Sequence, residues 1–190
     1  MARFKKIHNI VSEIATSNNI NNYPGVDVDS DPLLTADFIW GNLTKLHTNC
    51  IIPILEEFGS NNIKITSAYR CKELNLFLGG TENSQHTKGY AIDLVSSTHA
   101  SSLLWNWCFQ NLSEWHQLIW EYPERGNFIN ANHNFSWVHI SYIEGNNPKT
   151  CSFSSEVDSY HEHYKKEEIE PVMKRGNYTH GITFANETII

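Results

Sequence analysis

Apolar residues recur at Leu43, Leu46, Cys50, Ile54 and Phe58, steps of three and four that lay one stripe along an amphipathic helix. The pattern predicts that helix from about Thr35 to Phe58. Pro53 lacks an amide donor and should kink or split it, and Gly59 should stop it. In "NIKITSAYR", Ile63 and Ile65 alternate with polar neighbours and predict a strand ending near Tyr69. "CKELNLFLGG" predicts a short helix closed by Gly79 and Gly80. A loop through Lys88 and Gly89 then leads into a predicted strand from Tyr90 to Val95. "STHASSLLWNWCFQNL" predicts a further helix with Leu104, Trp107 and Cys108 on one face. Two more predicted strands, "WHQLIWEY" and "SWVHISY", flank the polar loop "PERGNFINANHNF".

Beyond Gly145 the pattern changes. "SSEVDSYHEHYKKEEIEPVMKRG" reads as a charged, solvated helix, followed by a tail. The chain is therefore expected to divide into a domain over residues 1–145, with its core at about 30–143, and a charged helical extension with a tail over 146–190. Helices and strands do not alternate in the βαβ manner, and the late strands are joined by short loops. The expected class is α+β, with a small, mostly antiparallel sheet and helices packed on one side.

Length and composition agree with a globular domain: 190 residues, 40% of them hydrophobic, can bury a core. A formal net charge of -7 argues against a nucleic-acid-binding surface. No apolar run is long enough to span a bilayer. Cys50, Cys71, Cys108 and Cys151 are widely spaced and form no C-x-x-C pair, so reduced thiols are expected. The tryptophans Trp105, Trp107, Trp115 and Trp120 fit core packing better than a sugar-stacking stripe. His161 and His163 sit in "HEHY" among charged neighbours and read as solvated surface.

Chemistry enters with "SQHTKGYAIDL", Ser84 to Leu94. Side chains two apart in a strand share a face. Asp93 then points away from Ile92 and Leu94, and His139 away from Val138 and Ile140. A carboxylate and an imidazole on strands that otherwise bury apolar groups are costly unless paired or bound to metal. His86 reaches them from the loop before the Asp93 strand, and Gly89 lets that loop turn tightly. Two imidazoles and a carboxylate suit zinc with the fourth position open, the catalytic form of such a site. The spacing alone leaves a hydrogen-bonded core histidine as an equal reading.

The segment Ser67 to Leu94, with "WVHISY", resembles the zinc D-alanyl-D-alanine carboxypeptidases and the phage L-alanyl-D-glutamate endolysins, a superfamily that includes the vancomycin-resistance D,D-dipeptidases and the hedgehog domain. The S-x-H-x-x-G-x-A-x-D pattern is met by Ser84, His86, Gly89, Ala91 and Asp93. An upstream S-x-x-R is met by Ser67 and Arg70, and the closing histidine by His139. The resemblance covers roughly residues 30–143 and implies a hedgehog/D,D-peptidase-like fold. By it, His86, Asp93 and His139 match the ligands of one zinc ion. Arg70 matches the arginine that holds the substrate carboxylate, a role suited to its donor fork, and Ser84 a residue of the same pocket.

One position departs from the pattern. Many relatives carry the catalytic acid three residues before the last histidine, and here Ser136 stands there. Glu121, leaving the neighbouring predicted strand on the face of Gln117 and Ile119, is the substitute general base. A strand-end surface charge is the alternative reading for it. His116 and His133 are weaker candidates, and Trp137 and Tyr142 are expected to shape the groove. The expected function is a zinc peptidase, acting as a monomer, that cuts an amide bond in the stem peptide or cross-bridge of peptidoglycan. The alternatives are an inactive virion, tail or binding module that keeps the zinc fold and, more weakly, a hedgehog-like interaction domain. The apolar stretch of "MARFKKIHNIVSEIATS" is broken by His8, Asn9, Ser12 and Glu13 and does not read as an export signal. The expected setting is the cytoplasm of an infected bacterial cell before release to the wall, with a virion-associated location as the other option.

Overall fold

The stripe from Leu43 to Phe58 forms a continuous helical rod in three parts. Helix α1 spans Ala36–Leu46, a π-helical turn spans His47–Ile51, and α2 spans Ile52–Phe58. Thr35 caps α1 by accepting the Phe38 N–H on its hydroxyl at 3.2 Å. The predicted break at Pro53 is realised as a change of hydrogen-bond register. The Ile52 N–H reaches back to the His47 carbonyl, and Pro53 falls in the first turn of α2, where a missing N–H costs nothing. Gly59 ends α2 at φ 81°.

The structure, a computed structural model, describes residues 22–122, 136–154, 164–165, 183–184 and 187–188. Among these, β1 is Ile63–Ser67, α3 Lys72–Phe77, β2 Ala91–Ser96, α4 Ser101–Asn111, β3 Gln117–Glu121, β4 Trp137–Ser141 and β5 Thr150–Ser154. A 3-10 turn, Gln85–Lys88, precedes β2. The strands lie in the order β1-β2-β4-β3-β5, and a two-residue strand β6, Tyr164–Lys165, pairs with β5. All pairings are antiparallel except β3 with β5. A separate small hairpin joins β7, Thr183–Phe184, to β8, Glu187–Thr188. The fold is α+β. No helix among the described residues is long and apolar enough to cross a membrane.

Alternation sorts the strand residues as the sequence implies. Ile92, Leu94, Leu118, Trp120, Val138 and Ile140 join one core with residues of α1, the π turn, α2 and α4. Trp105 and Trp115 are fully buried there and Trp120 nearly so, so these tryptophans pack the interior. The four cysteines are buried free thiols, and burial pushes Cys50 up to about 12, which suits inert packing and not nucleophilic chemistry.

Two differences from the sequence reading lie beyond Gly145. Strand β5 extends the sheet past that point by pairing in parallel with β3. Its signal, Cys151 and Phe153 two apart among polar residues, is short. The predicted charged helix is also contradicted at Tyr164–Lys165, which are extended and stand in antiparallel register with Cys151 and Thr150. Pairing with a sheet edge overrides local helix preference there. The rest of that predicted helix, with His161 and His163, lies outside the described residues, as does loop 123–135 with His133.

Candidate metal centre

Register places the centre. Asp93 of β2 stands directly opposite His139 of β4, and His139 opposite Ile119 of β3. All three point to the sheet face away from the apolar core, yet β2 is buried at every position. The cover comes from the 3-10 turn and from residues 68–71, between β1 and α3. His86 sits in that turn, which Gly89 ends in the left-handed conformation at φ 70°. A Cβ at Gly89 would stand 2.7 Å from the Ile39 carbonyl oxygen of α1. Replacing Gly89 by alanine should therefore destabilise the fold by about 1–3 kcal/mol. The check is a lower urea midpoint with an unchanged slope.

The three side chains converge. The Nε2 of His86 lies 3.2 Å from the Nδ1 of His139 and 3.2 Å from the Oδ1 of Asp93, and that Nδ1 lies 3.0 Å from the same Oδ1. All three residues are buried. The Nδ1 of His86 donates to the Ala68 carbonyl at 2.7 Å, which fixes the tautomer and leaves the Nε2 lone pair facing the cluster. His139 then meets a frustrated choice. With its proton on Nε2, three lone pairs crowd one another. With the proton on Nδ1, the Nε2 stays a bare acceptor. In either state the Nε2 is buried and finds no hydrogen-bond partner among the described residues. A divalent cation bound by Nε2 of His86, Nδ1 of His139 and Oδ1 of Asp93 would relieve the crowding. These three residues form a group that could hold a metal.

Electrostatics favour the ligating charge states. Burial lowers the pKa of His86, against the opposing pull of Asp93. For Asp93, burial on its own would push the pKa up, but His86 and His139 overcome it and hold the carboxyl well below the usual range. Arg70 adds a further contact, Nη2 to the Asp93 Oδ2 at 3.3 Å.

A cavity of about 440 Å³ opens over the group. Arg70, Ser84, His86, Asp93, Glu121, Trp137 and His139 all line it. Glu121 pairs with Trp137 across β3 and β4, one diagonal step from His139 on the same face, within reach of a long side chain. The rings of Tyr122 and Trp137 lie 4.9 Å apart at 47° and form part of the wall. Gln85, Gln117 and the loop through Gly79, Gly80 and Thr81 also line it. Gln85 and Tyr122 escaped the sequence reading. Gln117 was legible only as a same-face neighbour of Glu121.

Other candidates lie elsewhere. Tyr142 shares parity with Val138 and Ile140 and is buried in the core, so it does not line the cavity. His116 is held by Asn146, its Nδ1 2.7 Å from that carbonyl oxygen. Ser136 is buried on the helix side of β4. Its hydroxyl accepts the Trp120 indole N–H at 2.8 Å and lies 2.6 Å from the Ser101 hydroxyl.

No curated protein matches the chain by sequence. A family model described as Peptidase M15 matches residues 14–129, a stretch that holds Arg70, Ser84, His86, Asp93 and Glu121 and ends before His139. Because that match spans more than half of the sequence and carries two of the three converging side chains, the chain belongs to the peptidase M15 family.

Proposed function

We propose that the protein is a zinc-dependent peptidase that hydrolyses an amide bond in the stem peptide or cross-bridge of bacterial peptidoglycan. The observation that carries this reading is the convergence of His86, Asp93 and His139 in a cavity walled by Arg70 and Glu121. Donors about 2.0–2.1 Å from a tetrahedral zinc stand about 3.3–3.4 Å from one another. The three donor separations of 3.0–3.2 Å lie within a few tenths of an ångström of that. When bound, zinc supplies a Lewis acid that polarises a carbonyl and lowers the pKa of water.

The chain's own groups divide the remaining work. The Arg70 guanidinium is tied to Asp93 by one nitrogen, and its Nε is buried without a partner among the described residues. It has donors left to hold a substrate carboxylate. Glu121 takes a proton from the attacking water and returns it to the leaving amine, general acid–base work. Ser84 and Gln85 offer neutral polar groups suited to a peptide backbone, and Trp137 covers the outer side. The resemblance to phage endolysins supplies the setting: release from the cytoplasm of an infected cell to the wall.

Mass spectrometry of muropeptides incubated with zinc-loaded protein tests the reading and identifies the bond. Clipped stem peptides are expected, lost with a chelator and regained with zinc. Protein that carries no zinc and leaves muropeptides whole would refute it. A second reading is supported by Ser136, since the usual position of the acid is a serine locked in the core. It is a module that retains the metal and has lost turnover.

A further inference from the structure

Residues 68–71 carry three contacts on which the centre depends. The Ala68 carbonyl orients His86, the Arg70 N–H donates to the His86 carbonyl at 3.2 Å, and the Arg70 guanidinium meets Asp93. Yet β1 ends at Ser67 and α3 begins at Lys72, so the stretch takes little from the strand and helix ladders: only Cys71, the N-cap of α3, joins one, its carbonyl accepting the Asn75 N–H at 2.9 Å.

It is held instead by a segment that precedes α1. Asn22, fully buried, donates its Nδ2 to the Tyr69 carbonyl at 3.0 Å and accepts the Cys71 N–H on its Oδ1 at 2.6 Å. One side-chain amide thus satisfies backbone groups on both sides of Arg70, as a partner strand would. Asp27 supports the same stretch. Its carboxylate accepts the Tyr69 hydroxyl at 3.0 Å and the Lys72 N–H at 3.2 Å, where α3 starts.

We propose that Asn22, backed by Asp27, is a positioning residue for Arg70 that sets its guanidinium against Asp93 and the cavity. Asparagine suits the task because its amide sets an N–H donor group and a carbonyl acceptor side by side in one plane. Aspartate would turn acceptors toward the Tyr69 carbonyl, and alanine would leave a buried carbonyl and N–H unpaired. Arg70 is sensitive to such a loss, since its Nε has no partner among the described residues. The inference rests on reading the His86, Asp93 and His139 cavity as the working site.

The test follows the Nε–H resonance of Arg70 in 15N-labelled full-length protein. The chain has four arginines, and the signal is assigned by its loss in Arg70→Lys. In Asn22→Ala with an unchanged circular dichroism spectrum, this proton should exchange about tenfold faster, the cost of one buried hydrogen bond. Asn62→Ala removes a comparable side-chain bond, to the Phe58 carbonyl at 2.8 Å, and should leave the signal alone. In the zinc-loaded enzyme, Asn22→Ala should lower kcat/KM about tenfold, and should cause no further loss in an Arg70→Ala background. Unchanged exchange in a folded Asn22 variant, or full additivity of the two losses, overturns the proposal. Should Asn22→Ala not fold, Asn22→Ser, too short to bridge both groups, is read the same way. A wild type without peptidase activity would defeat the proposed function and leave the exchange measurement to decide the role of Asn22.

Discussion

Replacing His139 by alanine should weaken zinc binding by at least about a hundredfold. Removing even a supporting partner of a ligand costs 10–100-fold, and here a donor itself is lost. The remaining pair, His86 and Asp93, would keep their 3.2 Å contact, but two donors cannot enclose a cation against water. Metal content per chain after dialysis is the direct measurement. Zinc at a hundred times its dissociation constant stabilises the wild type by about 2.7 kcal/mol. That thermal gain should vanish in His139→Ala. A variant that holds zinc as the wild type does would remove β4 from the centre and end the case for the site.

Replacing Glu121 by glutamine should lower kcat by about 10²–10⁴-fold, the usual worth of a positioned general base, while zinc content stays the same. The two substitutions therefore separate metal from proton transfer. Glutamine keeps the shape and polarity of the side chain, so the β3–β4 register that pairs Glu121 with Trp137 should survive. Ser136 cannot take over, because its hydroxyl faces the core and is committed to Trp120 and Ser101. Steady-state rates on the muropeptide identified by mass spectrometry decide the matter. Equal rates in both proteins would take Glu121 out of the mechanism. No turnover in either protein, with zinc bound in both, would favour the module that has lost turnover.

Much of this was legible along the chain because it is local. Strand parity separates Asp93 and His139 from their apolar neighbours, and the glycine at position 89 marks a turn that side chains cannot enter. The helix stripe, its break near Pro53 and its stop at Gly59 were also visible, although the form of the break, a π turn over His47–Ile51, was not. Strand β5 and the extended Tyr164–Lys165 pair went unread because each owes its conformation to the strand beside it.

The sequence by itself determined which chemical groups are present, which face of its strand each one takes, and where the chain must turn. Only the tertiary structure decided that β2 and β4 are neighbours, which brings Asp93 and His139, 46 residues apart, to 3.0 Å. It also sent Ser136 into the core and gave Arg70 a brace in Asn22, 47 residues from the Tyr69 carbonyl it holds. The physical reason is range. Parity and turns follow from the sterics of adjacent residues, whereas the choice of partner strand is made by burial summed over the whole chain.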